Sequence, residues 1–396
     1  MSAENTYFLR LLCAFVHGQT APPPTDVDIQ RLLTIAQDCN LSGIVGYMLQ
    51  PHAAALGDYA IVTNRWFFQT VGIFANRRTA CDRLTAQLTA ASIPFALLKG
   101  AVLTEVYPEK ELRTSGDVDI FIPPAYIPQL KALLAENGDA ITHEDARQVC
   151  ISRPPLFVEF HFSLLADAAA DNGALCDYLA DPTPHMTVWA GTNTVDPTFH
   201  FVYLLAHQQH HYENDSPGIR SYLDLAVWLK NGFLPDTDTL IRTLQQAGLY
   251  DYAARALTLT SRWFAVSSPL PLVKISDKDE AFLKAYLLEA GQFAARQNPR
   301  ARQVADSGKK TPRLTALWRS LFPPAAHMRS DAAYATLAKR CLPLAYIKRL
   351  FTGAFRRPQY AASSAKAIVT ASKDAAARTR VKTITGGSTH EENRHL

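Results

Sequence analysis

Apolar positions change period along the chain, and each change marks where one kind of element gives way to another. Over residues 5–90 they recur every three to four positions, as Leu32, Leu33, Ile35 and Ala36 do after a Thr25-Asp26 cap. That spacing gathers them on one helical face and predicts an N-terminal helical region, 1–91. Its longest member covers 60–91. There Trp66, Phe67, Val71, Phe74, Leu84 and Leu88 form the packed stripe, and Arg65, Arg77, Arg78 and Arg83 a solvated face.

At Ser92-Ile93-Pro94 the helical period breaks. The pattern then predicts a strand at 95–98, a short helix at 101–107 and a strand at 116–122. A helix at 124–136 follows Pro123-Pro124 and stops at Gly138. Strands at 149–152 and 156–162 meet at Pro154-Pro155. This β-α-β-α-β-β order over 93–163 is a small mixed sheet with helices on one face, within a unit 92–196. Residues 185–195 read as a hairpin around Gly191-Thr192-Asn193. From 197 the helical period returns, with helices at 197–212 (capped by Asp196 and Pro197), 219–230, 236–247, 249–265 and 277–290. They make a helical domain, 197–293. Residues 294–312 read as an exposed loop, 313–358 as a basic helical segment and 359–396 as a disordered tail. The expected fold class is α+β: a small mixed sheet embedded between an N-terminal helical region and a mostly helical C-terminal domain.

Composition narrows the setting. Of 396 residues, 48% are apolar, enough for a sizeable core, and a net charge of +4 is too small to argue for nucleic acid. Six scattered cysteines without a CxxC pair read as reduced thiols of a cytoplasmic protein. No signal peptide or membrane span is evident. Residues 326–357 are basic, with Arg329, Lys339, Arg340, Lys348, Arg349, Arg356 and Arg357. They read first as a packing helix with a solvated face, and second as a peripheral contact with an anionic membrane at its inner face.

The chemistry concentrates in 97–122. Asp117 and Asp119 stand two apart in a strand-like segment, so they share a face about 7 Å apart along it and repel unless a cation lies between them. Hard divalent ions such as Mg²⁺ take carboxylate oxygens together with substrate phosphates. In Phe157-Val158-Glu159-Phe160-His161, alternation puts Glu159 and His161 on one face.

Leu98-Lys99-Gly100, then Tyr107-Pro108, then Arg113 ahead of Gly116-Asp117-Val118-Asp119, resembles the nucleotidyltransferases of the DNA polymerase β type. Within them it looks like the uncharacterised nucleotidyltransferase family five, a branch found in bacterial polysaccharide or peptide-modification gene clusters. The resemblance implies transfer of a nucleoside monophosphate from a nucleoside triphosphate such as ATP to a small-molecule, sugar or protein acceptor, with release of pyrophosphate. It assigns Asp117, Asp119 and Glu159 to the metal, Mg²⁺ or Mn²⁺. It also implies a nucleotide side of Lys99, Gly100, Arg113, Ser115 and Gly116. There the bare Gly100 admits the triphosphate, amides of the next helix meet phosphate oxygens, and Lys99 or Arg113 neutralises the β and γ phosphates. His161, His207, His211, Arg220 and Asp224 are candidates for the acceptor side.

Plainer roles compete at each position. Arg220 and Asp224, four apart on one helix, can pair with each other. Arg113 can pair with Asp119, Ser115 can serve the turn, Lys99 can lie on the surface, and His161 can bond within the core. His207, His210 and His211 share a helical face that suits structure or substrate contact better than a dedicated metal site. The turn reads Gly100-Ala101 where many relatives of this type have Gly-Ser or Gly-Gly, so it offers no hydroxyl. The competing function is a catalytically silent nucleotide-fold binding or scaffold protein of the same pathways. A nucleic-acid polymerase is disfavoured, since no dedicated basic duplex-binding domain is visible.

Overall fold

Ser2 and Asp28 open the first two helices, α1 (Ala3–Val16) and α2 (Ile29–Asp38), by accepting backbone N–H bonds from Asn5 and Arg31. The cap of α2 is therefore Asp28, not Thr25-Asp26, and Asp26 instead turns the chain at φ +57°. After α3 (Ser42–Leu49) and α4 (Ala53–Leu56) comes α5, Tyr59–Ala90. Helices α3 and α5 approach closely because Gly46 lacks a side chain: a Cβ there would come within 2.4 Å of the Thr63 carbonyl oxygen. This computed structural model describes residues 2–164, 173–214, 218–231, 233–289, 377 and 380–386.

The stripe expected along α5 is buried only in part. Leu84 and Leu88 are sealed, while Trp66, Phe67, Val71 and Phe74 are half-buried. The first half of the helix meets α3, and only its second half lies under the sheet. Arg65 and Arg83 are exposed as expected. Arg77 is not: it reaches across to the Pro155 carbonyl at 3.0 Å and the Gly116 carbonyl at 3.5 Å.

The sheet contains β1 (Ala96–Leu97), β2 (Val118–Phe121), β3 (Ile141–Glu144), β4 (Gln148–Arg153) and β5 (Leu156–His161) in the order β1-β2-β5-β4-β3. Strands β2 and β5 run parallel and the other neighbours antiparallel. Between them lie α6 (Gly100–Leu103) and α7 (Ile127–Glu136). Strand β3 escaped prediction because all four of its residues are exposed, so no apolar alternation marks it.

Alternation along β2, β5 and β4 sorts the two faces. Val118, Ile120, Ile122, Val158, Phe160, Val149 and Ile151 close over Leu84 and Leu88 of α5 and Leu130 and Leu134 of α7. Fully burying each such side chain contributes roughly 1.5–3 kcal/mol, and this layer fixes which residues face the other way. Asp119, Glu159 and His161 are left on the opposite face.

Helix α8 (Gly173–Leu179) and a hairpin of β6 (Met186–Trp189) and β7 (Thr192–Val195) lead into α9 (Pro197–Asn214), α10 (Ile219–Lys230), α11 (Thr237–Gln246), α12 (Tyr250–Phe264) and α13 (Asp277–Glu289). The hairpin and α9 clasp the end of β1. Thr194 Oγ1 donates to the Leu97 carbonyl at 2.7 Å, and the Lys99 backbone N–H donates to His200 Nε2 at 2.9 Å. A buried polar network sets α9 against α10 and α12: Tyr212 and Tyr222 hydroxyls meet at 2.6 Å, Tyr252 donates to Gln208, and Gln208 donates to Ser221.

The fold is thus mixed α and β, as the period changes predicted. By compactness the chain divides into 1–292 with 382–396, and 293–381. The loop at 294–312 and the basic segment at 313–358, with its membrane reading, lie outside the described residues. Within the stretch expected to be a disordered tail, residues 382–385 are helical, Ile384 and Thr385 are buried, and Arg255 donates to the Ile384 carbonyl. Among the described residues no helix is long and apolar enough to cross a membrane, and Cys13, Cys39, Cys81, Cys150 and Cys176 are free thiols.

Candidate active site

Strand β2 pairs with β5 so that Asp119 stands directly opposite Glu159, and Phe121 opposite His161. Side chains two apart on a strand share a face, so Asp119, Glu159 and His161 converge. Ligand atoms of the three lie within 4.8 Å of one another. Asp119 is buried and Glu159 half-buried. Strand β2 begins at Val118, so Asp117 sits just ahead of it at the end of the Arg113–Gly116 turn and is not part of that close group. Ser115 Oγ donates to the Asp117 backbone carbonyl at 2.7 Å and lies 3.5 Å from its carboxylate.

One carboxylate oxygen takes two donors. Lys99 Nζ reaches Asp119 Oδ1 at 2.7 Å and His161 Nε2 reaches the same oxygen at 2.9 Å, while His161 also lies 3.6 Å from Glu159. Lys99 is therefore not a surface lysine; it is the internal counter-ion of Asp119. Burial alone would raise the Asp119 carboxyl, but the Lys99 ammonium and the His161 bond overcome it and hold the group well below the usual carboxylate range. Glu159 moves the other way: burial, then the Asp119 charge, raise it. The donor set fits a divalent ion. Two carboxylates suit Mg²⁺ or Mn²⁺, and an imidazole among them favours Mn²⁺ over Mg²⁺.

Helix α9 faces this group with His207, expected from the sequence, and with His200 and Tyr203, which the sequence did not single out. His200 and His207 are seven apart, on the same side of the helix. His200 is fully buried and accepts the Lys99 N–H; burial, then the Lys99 ammonium, push its pKa down to about 3. His207 Nε2 lies 2.9 Å from His211 Nε2, and burial holds His207 well below the ordinary histidine range. Tyr203 presents its ring to Lys99 Nζ at 5.8 Å. The seven-residue spacing from His207 back to His200 was the signal available for this stripe.

The second cluster lies at α10 and is wired differently from the sequence expectation. Asp224 does not pair with Arg220 four residues before it, and Arg113 does not pair with Asp119. Arg113 grips Asp224 with a two-pronged fork, Nε to Oδ1 at 2.8 Å and Nη2 to Oδ2 at 2.9 Å, and the Tyr107 hydroxyl donates to Asp224 as well. Burial works against the Arg113 charge, but Asp224 outweighs it and keeps the guanidinium firmly protonated. Arg220 is 6% exposed and makes no ion pair among the described residues. Burial, then the neighbouring Arg113, lower its pKa to about 10.

Gly100 joins the two clusters. A Cβ there would lie 2.8 Å from Ser115 Oγ and 3.4 Å from Arg113 Nη1, so its bare Cα lets the turn close against that loop. Helix α6 is only four residues long, and the Ala101 N–H already donates to the Leu98 carbonyl. It offers little of the amide cradle expected at this turn. Beside it opens a cavity of about 360 Å³, walled by Gly100, Arg113, Ser115 and Asp117 on one side and by Phe74 and Arg77 on the other. Gly116 is exposed at the lip of the same turn.

A family model described as uncharacterised nucleotidyltransferase matches residues 25–265. No curated protein and no solved structure matches the chain. The matched segment spans well over half of the 396 residues and takes in every side chain described around Asp119 and Asp224, and on that ground the chain belongs to this uncharacterised nucleotidyltransferase family, a family of transferases.

Proposed function

We propose that the chain moves a nucleoside monophosphate from a nucleoside triphosphate, ATP or a relative of it, onto a hydroxyl of a small-molecule, sugar or protein acceptor. The observation that carries this reading is the register of β2 on β5, which sets Asp119 opposite Glu159 with His161 beside both. Asp119 and Glu159 would hold the metal, with Asp117, just ahead of β2, as the third acid drawn in when the ion and the phosphates bind. When bound, a divalent ion such as Mg²⁺ or Mn²⁺ polarises the phosphoryl oxygens and offsets charge building on the leaving group.

The acceptor oxygen attacks the α-phosphorus, forming a new O–P bond. The bond from that phosphorus to the bridging oxygen breaks, and pyrophosphate leaves with the electron pair. The acceptor's proton passes to Glu159. Glu159 stands on the acceptor side of the pair, within reach of an incoming hydroxyl. His161 orients both acids. Lys99 keeps Asp119 ionised and ready to ligate. On the nucleotide side, Gly100, Ser115 and Gly116 shape the turn against which the phosphates lie, with Arg113 behind it. His207, kept neutral by burial, and His211 line the acceptor side as hydrogen-bonding groups. Nucleoside triphosphates are intracellular, which favours a cytoplasmic site of action.

Incubation with each α-labelled nucleoside triphosphate and Mg²⁺ or Mn²⁺ should release pyrophosphate and move label onto an acceptor or onto the chain itself. Asp119→Asn should reduce both to background. Nucleotide binding without pyrophosphate release from any nucleotide would replace this reading with that of a silent binding or scaffold protein.

A further inference from the structure

Arg220 is the anomaly of the molecule. The residue is 6% exposed, and among the described residues its Nη2 has no hydrogen-bond partner and its charge no ion pair. A buried charge left unpaired is costly, because nothing in the protein replaces the water it gave up. Natural chains keep such groups where a ligand supplies the missing charge. The groups around it explain why the protein does not. Asp224 is near, but its two oxygens are spent on the Arg113 fork and the Tyr107 hydroxyl. Arg113 itself repels Arg220, and Asp117 contributes only a weak attraction. One carboxylate thus serves one of two guanidiniums, and among the described residues the positive charge of Arg220 is left over.

Arg220 feels the charges of Arg113 and Asp117, and both of those residues line the cavity beside the Gly100–Ser115 turn, where Arg113 Nη1 and Ser115 Oγ close on the bare Gly100 Cα. Planar, forked donors of this kind match phosphate geometry. We infer that Arg220, braced by the Arg113–Asp224–Tyr107 cluster, is the anion site for the β and γ phosphates of the nucleotide and for the pyrophosphate that leaves with them. This rests on the transferase reading for the identity of its ligand and moves Arg220 from the acceptor side to the leaving-group side. Asp224 and Tyr107 become positioning residues: they hold Arg113 so that Arg220 has no internal partner.

The inference is tested with the full chain and inorganic pyrophosphate, by calorimetry in metal-free buffer, using wild type and Arg220→Met. Loss of a charge-assisted hydrogen-bonding partner should weaken pyrophosphate binding by about 10- to 100-fold. Methionine fills similar space without a charge, so the ligand-free variant should melt no lower than wild type, and pyrophosphate should raise the wild-type midpoint more than the variant's. Absence of wild-type pyrophosphate binding, equal affinity in the two proteins, or a variant that melts well below wild type would each overturn the assignment; the last would mean that the guanidinium serves the fold. The two readings fail separately. Pyrophosphate binding that depends on Arg220 without any nucleotidyl transfer removes the transferase and keeps the anion site. Transfer by Arg220→Met with unchanged KM for the nucleotide keeps the transferase and removes the anion site.

Discussion

Lys99 Nζ lies 2.7 Å from Asp119 Oδ1, and both side chains are shielded from solvent, at 15% and 4% exposure. An ammonium so close to the central acid does what a metal ion would do there: it keeps the carboxylate charged in a place where burial argues for protonation.

Lys99→Met should therefore destabilise the metal-free protein. Removing one partner of a buried ion pair costs about 3–5 kcal/mol. Millimolar Mn²⁺ should restore part of the loss, because the ion can then answer Asp119 without displacing an ammonium. Thermal melts in EDTA and in Mn²⁺ check this: the metal-induced rise in midpoint is expected to be larger in the variant. Equal rises in the two proteins would show that Lys99 and the ion do not compete.

Asp224→Asn should cost about as much, on the order of 3–5 kcal/mol, because it strands the Arg113 fork beside the already unpaired Arg220. Tyr107→Phe removes a single hydrogen bond and should cost about 1 kcal/mol. Urea unfolding of the two variants measures the difference. Similar values for both would mean that Arg113 finds another acceptor.

These two prediction sites differ in how far the sequence revealed them, and the reason is distance along the chain. Asp119, Glu159 and His161 were legible because strand alternation is a local rule, and the register of the two strands then brought the local faces together. The same rule overreached at Asp117, since the strand starts two residues later than the apolar pattern suggested. Arg113 and Asp224 were both noticed, yet not as partners. They lie 111 positions apart, and the four-residue spacing of Arg220 and Asp224 offered a nearer and mistaken pairing. His200 was missed because it looks like one more core position of α9, and Arg77 because a charge on a helix ordinarily faces water. Strand β3 left no trace, having no buried side chain to set a period.

Gly100→Ala should crowd Ser115 Oγ, which would sit 2.8 Å from the new Cβ. Overpacking of this kind costs roughly 1–3 kcal/mol. The obstacle is the end of one side chain, so Ser115→Ala in the same chain should recover much of it, less the Ser115 bond to the Asp117 carbonyl. A double-mutant cycle by thermal or urea unfolding gives the coupling. Additive losses would show that the clash lies with backbone, not with that hydroxyl.

Acid should weaken the fold through α9. Burial, reinforced by the Lys99 ammonium, holds His200 at about 3 against 6.5 when unfolded, so between those values the unfolded chain binds a proton that the folded chain refuses. The His200 contribution is complete above pH 6.5 and is lost as pH falls toward 3, at about 1.4 kcal/mol per pH unit. His207, lowered in the same direction, steepens the fall. Unfolding free energy measured from pH 7 to 5 should drop along this slope, and His200→Gln should flatten it. An unchanged slope in that variant would show that other groups govern the acid limb.

The turn between β3 and β4 is exposed and held by Asp145, which accepts the Arg147 and Gln148 amides. It also separates the two halves of the chemistry: Asp119 and Lys99 precede it, while Glu159, His161 and α9 follow. A nick at this point parts Asp117 and Asp119 from Glu159 and divides the sheet, leaving neither fragment with the opposed acids. Reunion of the pieces restores the opposing acids only when β2 zips against β5 in the native register, which makes the chain a natural candidate for a split reporter whose signal is correct strand alignment.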